Sequence, residues 1–403
     1  MKKKILALLL AGCMAAGLCA CGTPAADSGT GDTSGTTATA DGDTVVIGVF
    51  EPLTGDNGAG GKQEYLGMQY ANSITPEVTI GDKTYKVELS VVDNESSNDK
   101  AVSAASQLIS QNVSIVLGSY GSGVSIAASD TFGEAGVPAM GVTCTNPQIT
   151  EGNDHYFRIC FLDPFQGTVL ANYAFNELGA TTAYCLAELG NDYDQGLAHY
   201  FQEAFQALGG TVIAESFPTG TADFTSYLSN ATIAGAQVFF APCSLAYTSL
   251  IVDQAAAQGV TYALLGSDTW DSNVITNAAA GKNVTIYITT FYQEGGSPEF
   301  DAGIKEWMNA NPEALTNNGG NDMVSAVTVM GYDAYFTALQ ALELAGSTDP
   351  AAVNEALWNV DYTGVSGEIT FNEIGDANRD SAYIKTANTA DNVWEFVTVQ
   401  TVE

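Results

Sequence analysis

Short apolar runs and helical periodicities alternate along this chain, and the alternation occurs twice. Val45 to Phe50 (VVIGVF) reads as a buried strand, and after a glycine-rich turn Leu66, Tyr70 and Ile74 recur at helical spacing. Val87 to Val92 is a second strand, and Ala101, Ala104, Ala105, Leu108 and Ile109 mark one face of a helix. Ser114 to Leu117, a helix from Ser122 to Glu134, and the strand Val137 to Gly141 complete the first run. The second run begins with the strand Thr181 to Ala187 and an amphipathic helix carrying Leu197, Tyr200, Phe201, Ala204, Phe205 and Leu208. Strands follow at Val212 to Phe217, Val238 to Ala241 and Ala263 to Gly266. Strands separated by helices must lie parallel, because a parallel partner needs a long crossover. The expected class is therefore α/β, with two lobes, each a doubly wound parallel sheet covered by helices on both faces.

In such sheets ligands bind beyond the carboxyl ends of the strands, where the strand order reverses. Here those ends are small and polar. They are Pro52-Leu53-Thr54-Gly55, Gly118-Ser119-Tyr120-Gly121-Ser122-Gly123 and Gly141-Val142-Thr143-Cys144-Thr145 in the first run. In the second they are Asn191-Asp192-Tyr193, Pro242-Cys243-Ser244 and Gly266-Ser267-Asp268-Thr269-Trp270-Asp271. Backbone amides, hydroxyls, carboxylates and aromatic faces together suit a small zwitterion held in a cleft.

The N-terminus places the protein outside the cytoplasm. Lys2, Lys3 and Lys4 precede an apolar stretch running from Ile5 to Ala20, which has the grammar of a secretory signal. Leu18-Cys19-Ala20-Cys21-Gly22 is similar to a bacterial lipobox, cut before the cysteine, so residues 1–20 are the expected signal peptide and Cys21 the lipidated residue, with a plain signal peptide and incidental cysteines as the alternative. Acyl chains contribute about 0.8 kcal/mol per buried CH2, which anchors a protein without a spanning helix. Thr23 to Asp43 holds mostly Gly, Ser, Thr, Ala and Asp and no aromatic residue, so residues 21–43 read as a flexible tether. The expected location is the outer face of the bacterial cell membrane, with contact to the bilayer through lipid alone.

The formal charge is -34, from 12 basic and 46 acidic residues. Nucleic-acid binding, which needs clustered Lys and Arg, is excluded as a function class. Of the cysteines, Cys144, Cys160, Cys185 and Cys243 fall in the body, widely spaced and without a CxxC pair, which argues against zinc. They read as small buried residues, with a disulfide between two of them as the alternative outside the cell. His155 and His199 are the only histidines, neither in a nucleophile motif, and no GxSxG, Walker loop or HExxH occurs. Asp376, Asn378 and Asp380 have the spacing that opens a calcium loop, but Ser381 stands at the glycine position and Ala387 at the bidentate acid. That segment reads as a polar turn between the last strands. No enzyme, cofactor or metal is expected.

Several of these segments occur in one order. IGVFEPLTG, LGSYGSG, VPAMGVTCTNPQIT, NDYDQGLA, GSDTWDS, GYDAY and GEITFNEIGD resemble the branched-chain amino-acid-binding proteins, solute receptors of ABC importers with the type I periplasmic-binding-protein architecture. The resemblance spans about Val45 to Val399. It implies two lobes joined by three hinge crossings, near Phe161 to Asp163, Ile288 to Phe291 and Phe371 to Asp380. The lobes would be residues 44–162 with 291–375, and 163–290 with 376–403. It implies an amino-acid ligand and a permease partner; a ligand-sensing receptor subunit, or a binder of another small carboxylate, would use the same clamp.

By the same resemblance, the Ser122 hydroxyl would donate to the ligand carboxylate, which the Thr145 hydroxyl and amide would also hold. The Thr143 carbonyl would accept from the ligand ammonium, and Asp268 would be its charged partner. Tyr193 would close the cleft from the second lobe, and Tyr120 and Trp270 would add aromatic faces. Purely structural roles exist for each: Ser122 as a helix cap, Thr143 and Thr145 as turn residues, Tyr193 as a packed aromatic, Asp268 as a loop acid, Trp270 as a brace. The chain departs from the pattern at three places. Gly60 stands where branched-chain receptors tend to carry an aromatic residue. Cys243 or Ser244 falls where tyrosine is frequent. Ser96 and Gly121 occupy the places of the first-lobe disulfide. The zwitterion-holding half of the site is kept, and the side-chain half is altered.

Overall fold

The computed structural model describes residues 43–402. The signal, Cys21 and nearly all of the tether lie outside the described residues. In chain order the first part comprises β1 (Thr44–Glu51), α1 (Gly58–Ile74), β2 (Glu77–Ile80), β3 (Lys83–Asp93), α2 (Asn98–Ser110), β4 (Ile115–Leu117), α3 (Ser122–Glu134), β5 (Ala139–Gly141) and β6 (Tyr156–Arg158). Its sheet has the order β2-β3-β1-β4-β5-β6, parallel except for β2. The central strand β1 is buried at Val45 and from Ile47 to Glu51, with Val46 half-buried, which is why its sequence is continuously apolar rather than alternating. The antiparallel β2 has no counterpart in the sequence reading: EVTI is four residues long and alternates exposed and buried at an edge.

The second part comprises α4 (Asp163–Asn172), β7 (Thr182–Glu188), α5 (Asp192–Ala207), β8 (Thr211–Phe217), α6 (Thr225–Ile233), β9 (Val238–Phe240), α7 (Leu245–Gln258), β10 (Ala263–Gly266), α8 (Asn273–Ala279) and β11 (Ile286–Thr290). The chain then forms α9 (Pro298–Ala310), α10 (Pro312–Asn317), α11 (Ala326–Ala345) and α12 (Pro350–Leu357). The hairpin β12 (Asp361–Gly364) and β13 (Gly367–Thr370) follows, and β14 (Ser381–Asn388) and β15 (Val393–Thr401) end the fold. The second sheet has the order β15-β14-β11-β10-β9-β7-β8, with β14 and β15 antiparallel additions to a parallel block.

Both sheets reverse their strand order at the same point of the motif. β1 lies between β3 and β4, and β7 lies between β8 and β9. The loops leaving β1 and β4, and those leaving β7 and β9, diverge there and leave a crevice at each sheet's carboxyl edge.

The chain passes between the territories of the two sheets over residues 159–162, 291–297 and 371–380. β11 stays in the second sheet through Thr290, and the middle passage follows it. After it, α9 and α11 return to α1: Tyr70, Phe300, Ile304, Met330 and Tyr335 share one core. α1 and α11 cross with backbone in contact. A Cβ on Gly67 would lie 1.9 Å from the Thr328 carbonyl oxygen, and one on Gly331 2.0 Å from that of Glu64. Glycine at both positions lets the helices close on each other, and this fixes the turn of α1 that carries Gln63 and Glu64.

The last passage is not a simple polar turn. Asp376 is buried and accepts from Arg158 Nε at 2.8 Å and Nη2 at 2.5 Å. Arg158 also donates to the carbonyls of Cys144 and Asn146 and to the Thr150 hydroxyl. Its backbone bonds Gly375 and Ala377 on either side of Asp376. The passage is thus stitched to the edge of the first sheet. Among the described residues Cys144, Cys160, Cys185 and Cys243 are buried and form no disulfide.

Candidate functional site

The crevices of the two sheets face each other and enclose a cavity of about 200 Å³. Tyr120, Ser122 and the first turn of α3 line it from one side; Tyr193, Ser244 and Thr269 line it from the other. The sides touch across it. The Tyr120 hydroxyl donates to the Thr269 carbonyl at 3.2 Å, and Asn146 Nδ2 to the Asp192 carbonyl at 3.0 Å.

Ser122 is the first residue of α3, and Gly121 is the cap, without a side-chain capping bond. The structure therefore gives Ser122 no capping role. Its Oγ accepts from the Asn146 amide at 3.3 Å, which leaves its proton free to donate. First-turn amides of a helix lack intrahelical acceptors and carry the positive end of its dipole. This side of the cavity therefore offers hydrogen-bond donors.

Behind the opposite wall lies a carboxylate that is not itself a lining residue but is held by Tyr193, which is. Asp268 follows β10 and is 1% exposed. Its Oδ1 accepts from the Tyr193 hydroxyl at 2.7 Å and Gln166 Nε2 at 2.8 Å. Burial pushes its pKa up to about 6, while these two donors pull it back. Asn191 caps α5 by accepting from the Tyr193 and Asp194 amides, which sets the tyrosine at the cavity edge.

Thr143 and Thr145 lie behind the cavity wall. The Thr143 hydroxyl donates to Glu64 Oε2. Thr145 Oγ1 is buried without a hydrogen-bond partner, as are both oxygens of Asp163. Burial pushes the Asp163 carboxyl up to about 7, and the neighbouring Thr145 hydroxyl pulls it part of the way back. Buried polar groups without partners are uncommon and each needs an explanation.

Trp270 does not join the others. It is fully buried, donates through Nε1 to the Ala241 carbonyl at 2.9 Å, and stacks so closely over Gly266 that a Cβ there would fall 2.4 Å from the indole. It braces the loop that presents Asp268. Tyr120 takes the space above Gly60, where a Cβ would lie 2.2 Å from its ring. The aromatic wall expected from the α1 turn is thus supplied by the loop after β4.

The sequence reading missed Glu51, Glu64, Asp163 and Gln166. Glu51 ends β1, fully buried, and its Oε2 accepts from the Tyr120 amide at 2.8 Å. Burial and the neighbouring Glu64 hold Glu51 well above the usual carboxylate range. The one available signal was a glutamate closing the apolar run VVIGVF.

A family profile described as periplasmic binding protein matches residues 44–391. The chain belongs to the periplasmic binding protein family. Leu/Ile/Val-binding protein homolog 1 of Brucella abortus is 29% identical over 335 residues, covering 82% of this chain and 87% of that one. An amino acid binding protein of Pseudomonas aeruginosa is 29% identical over 344 residues, with the same shares. The crystal structure of the leucine binding protein LivK from Thermotoga maritima superposes with a TM-score of 0.78 at 29% identity, covering 89% of this chain and 99% of that one. A solute binding protein from R. palustris in complex with benzoate has a TM-score of 0.76 at 18% identity, covering 89% and 96%, and shares the fold. This periplasmic binding protein is a solute receptor, not an enzyme, with the type I two-lobed α/β architecture expected from its sequence. No helix among the described residues is long and apolar enough to cross a membrane.

Proposed function

We propose that the protein captures a small amino-acid-like solute between its lobes and delivers it to an ABC permease, while tethered to the cell membrane through lipidated Cys21. The observation that carries the reading is the polarity of the cleft. The first turn of α3 with the Ser122 hydroxyl lines one side, and Tyr193, whose hydroxyl holds the buried Asp268 carboxylate behind it, lines the other. An α-carboxylate and an α-ammonium match these two ends. Thr145, with a buried unpartnered hydroxyl, would add a donor to the carboxylate, and the Thr143 carbonyl an acceptor for the ammonium. Charge-assisted hydrogen bonds contribute about 1.5–3 kcal/mol each. The passages 159–162, 291–297 and 371–380 would be the hinges on which the lobes open. The relatives named for leucine, isoleucine and valine, or for amino acids, support the class of solute.

The test is a thermal-shift screen of the body from Asp43 onward against L-amino acids and small carboxylates. A solute that binds only the folded state raises the midpoint further as its concentration increases. A concentration-dependent rise with an L-α-amino acid, lost when its amino group is acetylated, is expected. A panel in which only nucleosides, sugars or aromatic acids respond would refute the reading. For the anchor, Cys21→Ser is expected to move the protein from the membrane fraction to the medium; unchanged membrane retention refutes lipidation there.

A further inference from the structure

One tyrosine hydroxyl lies between two carboxylates from opposite sides of the cleft. Asp56 follows β1 and Glu188 ends β7. The Tyr247 hydroxyl lies 3.0 Å from Asp56 Oδ2 and 3.2 Å from Glu188 Oε1, and itself accepts from the Gly220 amide at 3.0 Å. A phenol has a single proton, so it satisfies one of the two carboxylates at a time. Thr219 and Asn191 also donate to Glu188. Among the described residues Tyr247 is the one donor to the Asp56 carboxylate.

The same cavity is lined by Asp192 and Asp194, and by no Lys, Arg or His. Among the described residues the buried cations Arg158 and Lys385 are already matched, Arg158 to Asp376 and Lys385 Nζ to Asp271 Oδ2 at 2.9 Å. Two groups lining the cavity are more than nine-tenths buried and have unpartnered atoms, Ser244 Oγ and Asp194 Oδ1. One more donor, carrying positive charge, would satisfy what the protein leaves unmatched. Closure without it brings like charges from the two lobes together, and like charges in a partly desolvated space repel strongly.

We propose that the solute carries a second cationic nitrogen, which seats between Asp56 of the first lobe and Glu188 of the second, so that the ligand class is an α-amino acid with a basic side chain. This rests on the amino-acid reading of the cleft. Its α-carboxylate faces the first turn of α3 and its α-ammonium faces Asp268, while the side-chain ammonium or guanidinium bridges the lobes at the mouth. The uncharged solutes of branched-chain receptors leave that bridge unmade.

The experiment is calorimetric titration of the body from Asp43 onward with L-lysine, L-arginine, L-norleucine, L-leucine, L-glutamate and cadaverine. Norleucine is lysine without its ammonium group. L-lysine or L-arginine is expected to bind at least a hundredfold more tightly than norleucine. Asp56→Asn and Glu188→Gln, isosteric changes on separate lobes, are each expected to shrink that ratio at least tenfold. Norleucine or leucine binding within threefold of lysine and arginine overturns the second cation and leaves the amino-acid reading standing. So does a ratio unchanged in both variants, or preference for glutamate. Binding of cadaverine without any amino acid keeps the cationic site and removes the α-carboxylate subsite. No heat with any of the six overturns both readings.

Discussion

Removing one partner of the Arg158–Asp376 pair should unsettle both the fold and the binding loop. Both groups are essentially inaccessible, at 0% and 1% exposure. In Asp376→Ala the guanidinium keeps the Cys144 and Asn146 carbonyls and the Thr150 hydroxyl but loses its counter-charge. Breaking a buried pair by removing one member costs about 3–5 kcal/mol, because the survivor stays desolvated. With an unfolding entropy of about 2.1 cal/mol/K per residue over about 360 residues, each kcal/mol moves the midpoint by roughly 1.3 °C, so a fall of about 4–7 °C is expected. The assay is a calorimetric scan of the ligand-free body, since bound solute would mask the loss. The double variant Arg158→Met with Asp376→Leu removes both charges and should recover most of the midpoint. A fall below about 1 °C for Asp376→Ala, or a double variant no better than the single one, would show that the pair does not hold the last passage to the sheet.

Burial raises the carboxyl pKa of Glu64, of Asp163 to about 7 and of Asp268 to about 6, so the ligand-free fold retains protons that the unfolded chain has released. Stability from these groups is fully present near pH 4 and is lost as pH rises through 6 to 7, so the urea midpoint at pH 5 should exceed that at pH 8; the reverse order would refute it. Asp268→Ala should weaken amino-acid binding at least tenfold with the circular-dichroism spectrum unchanged, and wild-type affinity in that variant would remove Asp268 from the site. Gly60→Ala forces a methyl into the Tyr120 ring and should break the Tyr120–Thr269 contact, weakening solute binding severalfold while leaving the midpoint within a few degrees; undiminished affinity would show that Tyr120 is not needed for closure.

What could be read from residues alone was whatever follows from short-range pattern. Continuous apolar runs such as VVIGVF mark strands buried on both faces, and the spacing of Leu197, Phe201 and Phe205 marks one face of α5; all three side chains are fully buried. The alternation of these elements dictates parallel sheets, and the polar strand ends locate the crevice. The sequence reading placed the helix after LGSYGSG at Ser122 to Glu134, the bounds of α3.

Tertiary structure decided which side chains reach the cleft, because that depends on partners far away in sequence. Trp270 was ambiguous until Gly266 and the Ala241 carbonyl were seen to bury its indole. Glu51 and Glu64 look like the end of a strand and a residue of a helix, and only the approach of α11 to α1 and the return of the loop after β4 place them beside Thr143 and Tyr120. Asp376 looked solvated because its neighbours are polar, yet an arginine 218 positions earlier takes it into the interior. Asp56 and Glu188 are unremarkable acids in an acidic chain until lobe closure sets both against the hydroxyl of Tyr247. Periodicity records which face of an element avoids water. It holds no record of which other element that face will meet, and the charge balance of the cleft is settled by that meeting.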